Sequence, residues 1–87
     1  MKKILVITTG GTIAMKYDPD NETFVPAKNG KELLDSVPGL KKIADIHLIE
    51  FSNIDSSEMT PKMMFSLAQL VNTHITRQEI EGIVITH

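Results

Sequence analysis

Apolar positions in this chain fall into runs and faces that predict its elements in turn. Ile4-Leu5-Val6-Ile7 is a continuous apolar run rich in β-branched residues and closed by Thr8-Thr9-Gly10-Gly11. Such a run predicts a strand buried on both faces of a parallel sheet. Asp45-Ile46-His47-Leu48-Ile49-Glu50-Phe51 alternates in part and predicts a second strand, ended by the polar segment Ser52 to Glu58. Gly82-Ile83-Val84-Ile85-Thr86 predicts a third buried strand. Ahead of that strand, Met63, Met64, Leu67, Leu70, Val71 and Ile75 recur at helical spacing on one face. Thr60-Pro61 supplies the helix start, because a threonine oxygen can accept from the orphan amides and proline at the first helical position loses no needed hydrogen bond. The helix is predicted to run to about Arg77.

The segments between are more polar. Met15 to Asn29 holds Asp18-Pro19-Asp20-Asn21-Glu22, Pro26 and the Asn29-Gly30 pair, and predicts a long connection with a short hairpin around Thr23-Phe24-Val25. A connection of that length inside a compact domain is more often functional than idle. Lys31 to Ser36 predicts a short helix stopped by Pro38-Gly39, with a further turn at Leu40 to Ala44. Strand, helix, strand, helix, strand is the pattern of βαβ units and predicts an α/β fold with a parallel sheet, Rossmann-like or flavodoxin-like. No internal repeat, low-complexity stretch or linker interrupts it. The sequence stops at the carboxyl edge of a strand predicted to be buried, so residues 1–87 are expected to be the incomplete amino-terminal part of an α/β domain, truncated after its third main strand.

Composition narrows the classes. With 41% apolar and 23% charged residues, the chain is neither disordered nor rich enough in apolar sequence for a membrane span. At 87 residues it would bury only about 60–65% of its unfolded surface, so any missing element would be felt. The absence of cysteine excludes disulfides, thiolate zinc clusters, iron–sulfur sites and a cysteine nucleophile together. A net charge of −2, one tyrosine and no tryptophan leave no basic face interleaved with aromatics, which argues against nucleic acid as a partner. Met1-Lys2-Lys3 precedes an apolar run that stops after Ile7, short of the roughly 7–15 residues of a signal core. A cytoplasmic protein is expected.

Ligands of open α/β sheets bind beyond the carboxyl ends of the strands, near the point where strand order reverses. Three segments meet that description: Thr8 to Ala14, Ser52 to Glu58, and Thr86-His87. Gly10-Gly11 matches neither a dinucleotide fingerprint, nor a phosphate loop, nor the elbow of a serine hydrolase. What remains is Thr12 directly after two glycines, either a cap for the following turn or a hydroxyl exposed to a substrate carbonyl. Ser56 and Ser57 either shape a turn or touch a ligand, and Asp55 with Glu58 reads as turn and helix-start electrostatics more readily than as a carboxylate pair. His47 and His74, without cysteines or paired histidine spacing, read as structural rather than metal-binding. Asp18, Asp20 and Glu22 alternate as in a calcium loop, but the glycine and terminal glutamate such a loop needs are out of register. Met59, Met63 and Met64 read as core filling. Neither metal nor cofactor is predicted.

The full string Val6-Ile7-Thr8-Thr9-Gly10-Gly11-Thr12-Ile13-Ala14 closely resembles the amino-terminal signature of the bacterial-type L-asparaginase family. Val37-Pro38-Gly39-Leu40, then Asn53-Ile54-Asp55-Ser56-Ser57-Glu58-Met59-Thr60, then Gly82-Ile83-Val84-Ile85-Thr86-His87 resemble consecutive blocks of that family in the same order. The resemblance covers nearly the whole chain. It implies hydrolysis of the side-chain amide of asparagine, and often of glutamine, to the acid and ammonia, with no metal or organic cofactor, in a homo-oligomeric enzyme several times longer than this chain. Thr12 matches the nucleophile, and Ser56 matches the serine that holds the substrate's α-carboxylate. Gly11 and Asp55 lie in the blocks implied to bind substrate, and Ser57 stands where some members carry a glutamine that also touches it. Phe24 falls near the place of a catalytic tyrosine; either Tyr17 in the same connection supplies the missing hydroxyl, or this branch manages without. The family's Thr-Asp-Lys group helps activate the nucleophile, and its Thr-Asp half lies just after the point where this chain stops, so the 87 residues alone are expected to be inactive. Two other readings stand beside this one. One is a non-catalytic α/β module that grips an amino acid or anion with the Gly-Gly turn and the Ser56 loop. The other is the asparaginase-like subunit of a tRNA-dependent amidotransferase, disfavoured because such subunits carry an extra amino-terminal domain whereas Met1 lies close before the first strand.

Overall fold

The opening apolar run forms β1 (Lys3–Gly10), and its neighbours on both sides are parallel to it. They are β4 (Asp45–Ile54) and β5 (Gly82–Thr86), giving a three-stranded sheet of order β4-β1-β5. The computed structural model describes residues 1–26, 30–77 and 79–87, with Thr12 and Pro26 through their backbone alone. Register is even along the centre: Val6 lies between Leu48 and Val84, and Ile7 between Ile49 and Ile85. Having neighbours on both edges, β1 carries the core, with Leu5, Val6, Ile7, Thr8 and Thr9 all buried.

After β1 a short 3-10 turn (Thr12–Ala14) leads into an antiparallel hairpin of β2 (Met15–Asp18) and β3 (Thr23–Pro26). The sequence pattern locates the hairpin at Thr23 to Val25; its partner strand, Met15-Lys16-Tyr17-Asp18, alternates apolar and polar over only four residues and is defined by its pairing with β3. The turn is built by Asp18, whose Oδ1 accepts from the Asp20 amide at 3.0 Å and whose Oδ2 accepts from Asn21 Nδ2 at 2.7 Å. The Asn21 hydrogen bond, ahead of lesser contributions from backbone amides and Lys16, holds the Asp18 carboxyl below its ordinary value. Lys16 Nζ reaches Glu32 Oε1 at 3.2 Å and ties the hairpin to the following helix. The last residues predicted for the connection, 27–29, including Asn29 of the Asn29-Gly30 pair, lie outside the described residues.

Two short helices follow, α1 (Gly30–Asp35) and α2 (Leu40–Ile43), where the helix and turn were expected. Leu33, Leu34 and Leu40 face Ile4, Val6, Ile46 and Val84 across an apolar cavity of about 420 Å3. The opposite face of the sheet receives α3 (Pro61–Ile75), capped by Thr60, whose Oγ1 accepts from the Met63 amide at 3.2 Å. Val71 and Ile75 border Ile83 and Ile85 around a second cavity of about 260 Å3.

Three expectations are corrected. The second strand continues past Ser52, because the register shifts between Thr8 and Gly10 and pairing resumes at Ile54 opposite Gly10. The helix stops at Ile75 rather than Arg77, and Met64 and Ile75 of its expected apolar face are exposed, since α3 packs mainly on one narrow strand. The third strand is not buried on both faces: β5 is an edge, paired only with β1, and Val84 is 49% exposed. The result is a slab of 45 × 35 × 13 Å whose radius of gyration, 14.1 Å, exceeds the roughly 12 Å of a compact chain this long.

Candidate active site

Chain order 1-4-5 becomes spatial order β4-β1-β5, so the first crossover runs from β1 out to β4 and the second returns from β4 past β1 to β5, reversing direction. The carboxyl end of β1 is therefore the reversal point, where open α/β sheets make their ligand sites. Gly10 and Gly11 occupy it with φ of 98° and 78°, a region that side-chain-bearing residues rarely enter. Both also meet neighbours that leave no room. A Cβ on Gly10 would stand 2.6 Å from the Ile54 backbone, and one on Gly11 would stand 2.5 Å from the carbonyl carbon of His87. The Gly11 amide donates to the Ile54 carbonyl at 2.8 Å, so Gly11 contributes close approach rather than a free donor.

Hydroxyls stitch the three strand ends together. Thr9, fully buried, places Oγ1 2.7 Å from the Thr86 carbonyl and 2.8 Å from His87 Nδ1. Ser52 Oγ donates to the Thr9 carbonyl at 2.9 Å. Sequence reasoning singled out the three segments and the Gly10-Gly11 pair, but not Thr9 or Ser52 within them. The usable signal was a pair of threonines closing an otherwise apolar central strand, since a buried hydroxyl needs partners.

The sequence-predicted residues divide into two groups. Thr12 opens the 3-10 turn directly after Gly11; its side chain lies outside what is described. Ser56 starts a second 3-10 turn (Ser56–Glu58) after β4, with Asp55 before it in extended conformation. This turn closes on itself, the Glu58 amide donating to the Asp55 carbonyl at 2.9 Å. Ser56 Oγ comes so near Gly11 that a Cβ there would lie 3.1 Å from it. Gly11, the backbone of Thr12, Ser56 and Asp55 are thus neighbours, while Ser57 is exposed on the same turn. Tyr17 belongs to the hairpin, directly opposite Phe24. The two rings meet edge to face with centroids 5.5 Å apart, and both are more than half exposed.

The site is a floor rather than an enclosure. Gly11, Met15, Asn53, Ile54 and Asp55 line a cleft of about 20 Å3, room for about one water. Among the described residues no group of three or more His, Asp or Glu side chains is placed to hold a metal ion. No helix among them is long and apolar enough to cross a membrane.

Comparison with known proteins gives consistent matches. The family described as "Asparaginase, N-terminal" matches residues 3–87. "Probable L-asparaginase 4" of Schizosaccharomyces pombe is 33% identical across 100% of this chain and 25% of its own length. A glutamyl-tRNA(Gln) amidotransferase subunit of Methanococcus vannielii is 37% identical across 100% of this chain and 20% of its own. The crystal structure of a probable cytoplasmic L-asparaginase from Campylobacter jejuni superposes with a TM-score of 0.83 at 34% identity, over 100% of this chain and 26% of that one. The chain thus spans about a quarter of the length of the relatives it matches.

Proposed function

The chain belongs to the asparaginase family, and from that premise we propose that it is the amino-terminal part of a cytoplasmic, homo-oligomeric enzyme that hydrolyses the side-chain amide of L-asparagine, and of L-glutamine as second substrate, to the acid and ammonia. The observation that carries the proposal is the meeting of Gly11, Thr12 and Ser56 at the carboxyl end of the central strand. In this reading Thr12 attacks the amide carbon, ammonia leaves, and water then releases the acid from the threonine ester. A threonine hydroxyl is a weak nucleophile at neutral pH and needs a base to take its proton, and the oxyanion formed on attack needs donors. Both are assigned to chain beyond the 87 residues. Ser56, with Asp55 and Ser57 on the same turn, binds the amino-acid end of the substrate, and Gly11 lets it approach the backbone closely.

Tyr17 is assigned the hydroxyl that Phe24 lacks. Directly opposed residues of an antiparallel pair share one face, so the register that sets Tyr17 against Phe24 supports the exchange. Ammonia release separates catalysis from the alternative of a binding module. The complete enzyme offered asparagine and glutamine in parallel is expected to release ammonia from asparagine. Saturable binding with no ammonia from either amide would overturn the hydrolase reading in favour of the binding module.

A further inference from the structure

Thr9 is wholly buried, yet its hydroxyl has two partners across the strand ends, the Thr86 carbonyl at 2.7 Å and His87 Nδ1 at 2.8 Å. A hydroxyl carries one hydrogen, and a carbonyl oxygen can only accept. Thr9 therefore donates to Thr86, and its oxygen is left to accept from His87. That requires the proton of a neutral His87 ring to sit on Nδ1, with Nε2 the acceptor. The same hydroxyl holds the end of β5 flush on the glycine turn, since the His87 carbonyl carbon occupies the space a Gly11 side chain would need. From the other side, Ser52 Oγ donates to the Thr9 carbonyl at 2.9 Å, so Thr9 joins β4, β1 and β5 at the point where the site is built.

We infer that Thr9 is a positioning residue of this site: it fixes His87 as the Nδ1-protonated tautomer and sets the height of the β5 end against Gly11. Its role in turnover presupposes the amide hydrolysis proposed above, whereas the tautomer does not. Thr9→Val keeps the shape of the side chain and removes the hydroxyl, and with it the hydrogen bonds to the Thr86 carbonyl and to His87 Nδ1. Thr9→Ser keeps the hydroxyl and removes only a methyl group.

The test combines imidazole 15N spectra and steady-state kinetics on the complete enzyme and both variants, with the His87 signals identified by their loss in His87→Asn. In the unaltered enzyme the neutral His87 ring is expected to show a protonated Nδ1 and an unprotonated Nε2. Thr9→Val should lose that preference and lower kcat on asparagine on the order of 10- to 100-fold, the scale of a small misplacement at a reacting centre. KM should change less, and Thr9→Ser should keep both the tautomer and most of kcat. An Nε2-protonated ring in the unaltered enzyme would overturn the assignment without recourse to any variant. So would Thr9→Val with unchanged tautomer and kcat, or Thr9→Ser losing as much as Thr9→Val, which would make the contribution one of packing. If the unaltered enzyme releases no ammonia, the proposed function fails, and the tautomer measured in the same sample decides the assignment of Thr9 by itself.

Discussion

At Gly11 two independent constraints coincide, a φ of 78° and a neighbour 2.5 Å from any added Cβ. Strained left-handed backbone costs about 1–3 kcal/mol for a side-chain-bearing residue, and here the obstacle is backbone, which cannot rotate away. Gly11→Ala is therefore expected to lower stability by at least about 1 kcal/mol and to depress turnover, read by denaturant unfolding and ammonia release; a variant as stable and active as the parent would contradict the packing at this turn. Ser56 allows a sharper distinction. If it holds the α-carboxylate, Ser56→Ala should raise KM for asparagine far more than for an analogue lacking that group, and equal losses on both would remove the role. Tyr17→Phe should lower kcat if Tyr17 supplies the hydroxyl absent at Phe24, and an unchanged kcat would show that this branch uses no tyrosine from the hairpin.

Among the elements, the clearest signals in the sequence were those whose cause is local. Thr60-Pro61 announced the start of α3 because a cap and a proline act through their own backbone, and the hydrogen bond to the Met63 amide is the one expected. Thr60→Ala should cost about 1 kcal/mol, seen as a lower denaturation midpoint with unchanged slope. The Ile4 to Ile7 run likewise announced the central strand. What could not be read was set by distant partners: the extension of β4 to Ile54 depends on a shifted pairing with Gly10, β2 depends on β3, and the exposure of β5 depends on having one neighbour instead of two. The site divides the same way. The Thr12 and Ser56 candidates rest on a resemblance carried by contiguous strings, whereas the hydrogen bonds of Thr9 and Ser52 join residues far apart in sequence. The hairpin turn carries a prediction of its own. The folded Asp18 carboxyl lies below its ordinary value near 3.8. Its contribution is therefore fully present above that value and is lost as pH falls through the lower, folded one. The Asp18 carboxyl 13C signal should titrate below the ordinary aspartate range, and a midpoint at or above it would mean the Asn21 contact does not persist in solution.

The molecule as a whole is a thin sheet only partly covered. Val84 at 49% and Ile85 at 44% exposure lie on an edge strand, and Met64 and Phe65 are exposed on α3. Uncovered apolar surface of a few hundred Å2 corresponds to several kcal/mol at about 25 cal/mol per Å2, comparable to the stability of a small domain, and an open parallel edge invites pairing with another chain. The 87 residues by themselves are accordingly expected to associate and to release no ammonia; a monomer with a cooperative thermal transition and measurable hydrolysis would contradict that. The proposed function assigns catalysis to the hydroxyl of Thr12, a residue whose backbone opens the turn directly after β1 and Gly11. The measurement that tests this most directly is kcat for asparagine in the complete enzyme and in Thr12→Ala, with substrate binding measured alongside. The expected result is a loss of several powers of ten in kcat with binding largely retained. A variant that keeps more than roughly a tenth of the rate would make Thr12 a structural residue and contradict a threonine nucleophile.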